Sequence, residues 1–206
     1  VNGITAVGMG FLLSIILWRY NYTNIIQKQR IETKQKQLEQ MAYYDPLTDL
    51  PNRRLLESLL KREIASVQRY DYETVIIMLD IDDFKQINDA YGHPVGDSIL
   101  IQLADLLKNN VRESDTVARL GGEEFIILMR HTSVEEGYLL AERIRKIIME
   151  NSFTVGAATL RITSSFGVSS LRDINGQSLE DYYFFADKAL YLAKQRGKNR
   201  VEKHVT

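Results

Sequence analysis

Three acidic residues crowd one short stretch, Asp80-Ile81-Asp82-Asp83-Phe84-Lys85, where a β-branched apolar run from Thr74 gives way to a helical pattern. Carboxylates this close repel one another unless a cation neutralises them, and hard cations prefer oxygen ligands. The helix that follows offers free backbone N–H groups to an anion such as a phosphate. Asp82 or Asp83 could equally cap that helix with no ligand involved. Asp80 still lies inside the strand pattern, where capping is a poor explanation. A second stretch, Arg119 to Phe125 (RLGGEEF), places Gly121-Gly122 between two strand-like runs and signals a hairpin. Glycines let a backbone approach a ligand closely, and Glu123 could complete a cation site with Asp80 if the hairpin lies beside that strand. Taken alone, two acids on a hairpin tip are equally well read as solvated charges. A third stretch, Tyr91 to Asp97 (YGHPVGD), is a turn into a long helix. Asp97 there suits the helix dipole, and His93 reads as a packed turn histidine.

Composition narrows the chemistry. The 206 residues carry 26 Lys+Arg against 27 Asp+Glu, a formal net charge of −1, which argues against bulk nucleic-acid binding. With no cysteine, disulfides, thiol chemistry and Cys-based zinc sites are excluded. Three histidines, His93, His131 and His204, are too few for a multi-histidine centre. A metal here would therefore be an oxygen-liganded one: magnesium, manganese or calcium.

The elements that must position these residues follow from periodicity. Asn52 can cap a helix reaching about Tyr70, with Leu55, Leu56, Leu59, Leu60, Ile64 and Val67 on its buried face. Thr74 to Asp80 reads as a central strand, Asp83 to Tyr91 as a short helix and Val95 to Val111 as a longer one. Strands over Thr116 to Leu120 and Phe125 to Arg130 flank the two glycines. Val134 to Glu150 is an amphipathic helix, Thr159 to Ser169 a strand and Leu179 to Gln195 a final helix. Strands separated by helices, with one hairpin, suggest a mixed sheet covered by helices.

The start of the chain differs in character. From Val1 to Trp18 there is no charged side chain, Trp18, Tyr20 and Tyr22 resemble an interfacial aromatic belt, and Arg19, Lys28, Arg30, Lys34 and Lys36 follow. Residues 1–20 are thus expected to be a transmembrane helix, with a buried helix or a signal-peptide core as alternatives. The basic residues that follow place the C-terminal side in the cytoplasm, at the inner membrane. Because the chain begins with Val1 rather than Met, it reads as the tail of a longer membrane or sensor region. Residues 21–44 read as a helical linker, and Ile31, Leu38 and Met41 would fit a heptad seam. It ends at Asp45-Pro46, since proline disfavours helical geometry in the residue before it. Residues 45–206 form one domain.

Taken together these motifs resemble the GGDEF family of diguanylate cyclases, which join two GTP molecules into cyclic di-GMP. The resemblance rests on DPLTDLPNRR at Asp45 to Arg54, DIDDFK at Asp80 to Lys85 and NDAYGHPVGD at Asn88 to Asp97. GGEEF at Gly121 to Phe125 and ADKALYLAKQRGKNRV at Ala186 to Val201 complete it. The resemblance implies an α+β, nucleotidyl-cyclase-like domain with an antiparallel central sheet flanked by helices. It implies two magnesium ions, with manganese as a substitute, held by Asp80, the Ile81 carbonyl, Glu123 and Glu124. Catalysis would fall to Glu123, Asp80 and Lys194.

The same resemblance assigns GTP-binding roles to Phe84 and Lys85 through their backbone N–H groups and to Asn88 and Asp97 at the guanine edge. Gly121, Gly122, Lys194 and Lys198 would complete that set. Lys198 stands where the family often has Arg, so the charge is kept and the bidentate fork lost. Arg112 and Asp115 match the family's R-x-x-D inhibitory motif, with Arg143 as a supporting arginine, so cyclic di-GMP would be an inhibitor as well as the product. One GTP per domain implies a homodimer. A non-catalytic receptor for cyclic di-GMP or GTP is the alternative on the same residues.

Overall fold

The computed structural model describes residues 2–156, 158–172 and 179–204, with side chains from residue 17 onward except those at 179, 180 and 182. The chain divides into two compact units, one ending at Ala42 and one beginning at Tyr43. In the first, helix α1 (Asn2–Tyr43) is continuous. The two helical segments expected over 1–20 and 21–44 are one, because no glycine or proline interrupts the chain from Phe11 to Tyr44. Among the described residues no helix is long and apolar enough to cross a membrane. The crossing expected over residues 1–20 rests on an apolar run that falls mainly on residues 1–16, whose side chains lie outside the described ones. From Leu17 onward the helix is polar, with Trp18, Tyr20, Tyr22, Ile25, Ile26, Ile31, Leu38 and Met41 all exposed. Trp18 and Tyr22, one turn apart, stack with ring centroids 5.5 Å apart.

The second unit is built on a five-stranded sheet. Its strands are β1 (Thr74–Ile81), β2 (Thr116–Gly121), β3 (Glu124–Arg130), β6 (Ser164–Ser170) and β7 (Val201–Lys203), in the order β2-β3-β1-β6-β7. All neighbours pair antiparallel except β6 with β7, which is parallel. The sheet is therefore mixed and not wholly antiparallel as the resemblance implied. The odd strand is only Val201–Lys203, too short to show an alternation in sequence. The strand expected over Thr159 to Ser169 is two: β5 (Ala158–Leu160) pairs with β4 (Phe153–Val155) as a separate ribbon, and β6 enters the main sheet.

Helices α2 (Arg53–Tyr70), α3 (Phe84–Tyr91), α4 (His93–Asn109), α5 (Val134–Glu150) and α6 (Leu179–Gln195) cover the sheet. Asn52 caps α2, its side chain accepting from Leu55 N. Ser133 and Glu136 form a reciprocal capping box at α5. Because successive strand side chains point to opposite faces, β1 is divided between two cores. Val75, Ile77, Leu79 and Ile81 pack with residues of α4 and α5. Ile76 and Met78 pack with residues of α2 and α6. Both faces are covered, so all eight residues of β1 are buried and the strand reads as a continuous apolar run.

Helix α6 sits unusually close to the sheet. A Cβ added at Gly167 of β6 would lie 2.0 Å from the Ala186 carbonyl oxygen and 2.3 Å from Leu190 N. Both obstacles are backbone and cannot rotate away. Gly167→Ala is therefore expected to lower stability by about 3 kcal/mol or more, the upper range for overpacking. A urea unfolding curve within 1 kcal/mol of wild type would contradict this packing.

Candidate active site

The two-residue period of β1 runs on past its apolar part. After Ile76 and Met78, the next side chain on the α6 side is Asp80. In the sheet register Asp80 lies directly opposite Glu124, the first residue of β3, and opposite Ser165 of β6. Glu123 is the preceding residue, in the β2–β3 turn, and Ile81 ends β1 with its side chain buried. The hairpin does lie beside the Asp80 strand, and β1 and β3 bring their acidic ends together.

Asp80 is only 5% exposed. Burial pushes its carboxyl up to about 6, against the pull of the Lys194 ammonium, and the charges of Glu123 and Glu124 push the same way. Lys194, in the last turn of α6, places Nζ 2.8 Å from Asp80 Oδ2. Lys194 thus meets the Asp80 carboxylate as the cation available to a buried charge. Among the described residues no group of three or more His, Asp or Glu side chains is arranged to hold a metal ion. The donor chemistry of Asp80, the Ile81 carbonyl, Glu123 and Glu124 nevertheless fits one. Oxygen ligands alone, crowded enough that one of them resists ionising, are what a hard divalent cation relieves, and magnesium needs only one or two carboxylates when phosphates supply the rest.

The strand exit then turns sharply into α3. Asp83 adopts a left-handed conformation with φ 56° and makes no side-chain cap. Its backbone oxygen accepts from Gln86 N and Ile87 N, so Phe84 and Lys85 form the open first turn. Lys198 Nζ lies 2.7 Å from Asp83 Oδ1, and the Asp83 carboxylate beside it raises the Lys198 ammonium above the ordinary lysine value. Asp82 caps nothing either. It is 7% exposed and accepts from Thr163 Oγ1, Ser165 Oγ and Asn199 N.

The glycine tip is open. Gly121 and Gly122 have φ of 145° and 53°, and a Cβ at either would meet nothing within 4 Å. The glycines answer to backbone conformation, with a register shift between Arg119 and Gly121. The tip is braced by Arg119, which donates through Nε and Nη2 to the Gly122 carbonyl at 3.1 and 2.7 Å and through Nη1 to Asp45 at 2.8 Å. Burial would raise Asp45, but the hydrogen bonds from Arg119 and Thr48 outweigh it and hold that carboxyl below the usual aspartate value. Arg119 and Asp45 were not singled out from sequence. The only signal was their presence in motifs whose physical purpose a single sequence does not disclose.

Asn88 of α3 and Asp97 of α4 sit on neighbouring helices, Asp97 exposed and Asn88 half-buried. Asn88 Oδ1 is buried without a partner, and a Cβ on Gly96 would fall 2.0 Å from it. Gly96, next to Asp97, therefore leaves the space in which the Asn88 amide sits.

Arg112, Asp115 and Arg143 come together elsewhere. They line a depression of about 650 Å³ with Asn110, Val111 and Met129 among others. Asp115 Oδ2 accepts from Arg112 N at 3.1 Å, and Arg143 Nη2 donates to the Asn110 carbonyl at 2.8 Å. Met129 lies on β3 beyond Glu124, roughly 17 Å along the strand at 3.4 Å per residue. The depression is thus a separate site from the carboxylates.

A mixed sheet whose strand ends gather carboxylates beside an open helix start defines a domain suited to metal-assisted phosphate chemistry. The comparison with known families gives it a name: the model for "Diguanylate cyclase, GGDEF domain" matches residues 42–200, and the chain belongs to that family. Diguanylate cyclase DgcP of Pseudomonas aeruginosa is 41% identical over 163 residues, covering 79% of this chain and 24% of that protein. Diguanylate cyclase A of Treponema denticola is 39% identical over 181 residues, covering 86% of this chain and 48% of that protein. The chain thus spans between a quarter and a half of the length of these relatives. The coiled coil and GGDEF domain of DgcB from Caulobacter crescentus, solved in complex with c-di-GMP, superposes with a TM-score of 0.83 at 26% identity, covering 91% of this chain and 99% of that one. The active GGEEF domain of a diguanylate cyclase from Vibrio cholerae gives 0.69 at 37% identity, covering 75% and 97%.

Because folding raises the Asp80 pKa to about 6, the folded state holds a proton that the unfolded chain has lost between about pH 4 and 6. Asp80 thus costs stability as pH rises through that window. In excess chelator, Asp80→Asn should match wild type near pH 4 and exceed it by up to about 3 kcal/mol at pH 8, at 1.36 kcal/mol per pH unit. A stability difference independent of pH in denaturant titrations would remove the assignment.

Proposed function

We propose that this domain condenses two GTP molecules into cyclic di-GMP and two pyrophosphates across a homodimer, and that product feeds back through the Arg112–Asp115–Arg143 depression. The observation that supports this reading most is the direct pairing of Asp80 with Glu124 on the α6 face of the sheet, beside the open start of α3. Asp80, the Ile81 carbonyl, Glu123 and Glu124 would hold two magnesium ions, which supply charge neutralisation at the α-phosphate and the departing pyrophosphate. The N–H groups of Phe84 and Lys85 receive the terminal phosphates. Lys194 and Lys198 leave Asp80 and Asp83 to add their charge there. Asn88 offers its amide, and Asp97 its acceptor oxygens, to the guanine edge. Each 3′-hydroxyl gives up its proton to solvent as its oxygen attacks the facing α-phosphorus and the bond to pyrophosphate breaks.

One nucleotide per domain makes pairing obligatory, and a shared helix raises effective concentration. The length of α1 and its exposed Ile31, Leu38 and Met41 support α1 as the dimerising element. The uncharged run from Val1 to Trp18 supports attachment to the inner membrane with the catalytic domain in the cytoplasm. Flotation with anionic lipid vesicles tests that attachment.

Dimeric protein incubated with GTP and magnesium should yield cyclic di-GMP and pyrophosphate in a one-to-two ratio. Binding of either nucleotide without turnover would favour a receptor instead. Glu123→Gln should slow turnover by about 100-fold or more, the scale of losing one electrostatic stabiliser. Arg112→Ala should leave the initial rate intact and abolish product inhibition, and an unchanged inhibition curve would remove the regulatory site.

A further inference from the structure

The carboxylate of Asp82 has no part in the chemistry just described, yet it is the most heavily hydrogen-bonded acid at the strand exit. Ser165 Oγ donates to Oδ1 at 2.6 Å, while Thr163 Oγ1 and Asn199 N donate to Oδ2 at 2.7 and 3.0 Å. The first two donors belong to the chain entering β6. The third belongs to the turn that follows α6, between Lys194 and β7. That turn is strained, since Lys198 and Asn199 are consecutive non-glycine residues with φ of 62° and 46°. Such a conformation persists only where its surroundings over-determine it. Asp82 holds it from the sheet side. From the other side, Arg145 Nη1 donates to Asn199 Oδ1 at 2.9 Å.

We infer that Asp82 is a positioning residue: it clamps the turn at Asn199 and thereby fixes where Lys194 and Lys198 present their charges at the strand exit. The two lysines flank the clamped turn, one ending α6 and one within the turn, and both reach carboxylates of the Asp80–Asp83 segment. Without the Asp82 carboxylate, the Asn199 N–H and two hydroxyls lose their acceptor, and the turn is free to relax out of its left-handed conformation. A long lysine side chain on a relaxed turn delivers a poorly placed point charge. This inference rests on the reading that those lysines meet the terminal phosphates of GTP.

The test compares binding of 3′-deoxy-GTP, which lacks the attacking hydroxyl, with binding of GMP, which lacks the terminal phosphates, both with magnesium. Asp82→Ala should weaken 3′-deoxy-GTP by about tenfold, the scale of one charge-assisted contact, and leave GMP unchanged. In a Lys194→Met/Lys198→Met background the same substitution should cost nothing further, because the clamp acts only through those side chains. Asp82→Asn, which keeps one acceptor oxygen, should restore most of the difference. If Asp82→Ala does not fold, Thr163→Val, which removes a hydroxyl donor to the same Oδ2, carries the test, with a several-fold loss for 3′-deoxy-GTP alone. Equal losses for both nucleotides, or a full loss persisting without the lysines, would overturn the inference. Wild-type protein that fails to discriminate the two nucleotides would instead defeat the underlying reading.

Discussion

A carboxylate buried at the end of a strand must find a cation, and much of this domain is arranged around that requirement. Asp80 occupies a position that the strand period would otherwise give to an apolar side chain, on the face where Ile76 and Met78 pack against α2 and α6. The close approach of α6 over Gly167 brings Lys194 to it. The antiparallel partner β3 then adds Glu124 at the same level, which aggravates the repulsion that Lys194 only partly offsets. Interactions of this kind cost stability in the free protein and are kept where a ligand repays them.

The rest of the site is held by braces that touch no substrate in any reading. Arg119 ties the glycine tip to Asp45, joining the first motif of the domain to its hairpin. Asp82 ties the sheet to the turn after α6. Gly96 leaves room for the Asn88 amide. Sites on which geometry matters to a fraction of an ångström need such supporting contacts. Here Asp82 sits beside Asp83 and Gly96 beside Asp97 in the sequence, while what they hold in place comes from elsewhere in the chain.

The elements with strong periodicity were legible. Thr74 to Asp80 shows its burial on both faces as an uninterrupted apolar run, and the helices over 53–70, 134–150 and 179–195 follow from their repeats, the first also from its Asn52 cap. The short pieces were not. A three-residue strand such as β7 or β4 carries no pattern, so the parallel edge of the sheet and the separate ribbon escaped notice. In sequence Asp82 is as good a helix cap as Asp83, because both stand just before α3. Its donors, Thr163, Ser165 and Asn199, are far away in sequence, and only the sheet register brings two of them near. The ion pairs of Lys194 and Lys198 were hidden for the same reason. A lysine three residues from a glycine says nothing about which acid it will meet.

Strand β3 carries Glu124 at one end and Met129 near the other, so the carboxylate cluster and the arginine-lined depression can be filled at the same time. A molecule seated in the depression would lie well away from the carboxylates. Feedback through it would consequently show a noncompetitive signature, lowering the maximal velocity at saturating substrate, and no excess of GTP would wash it away.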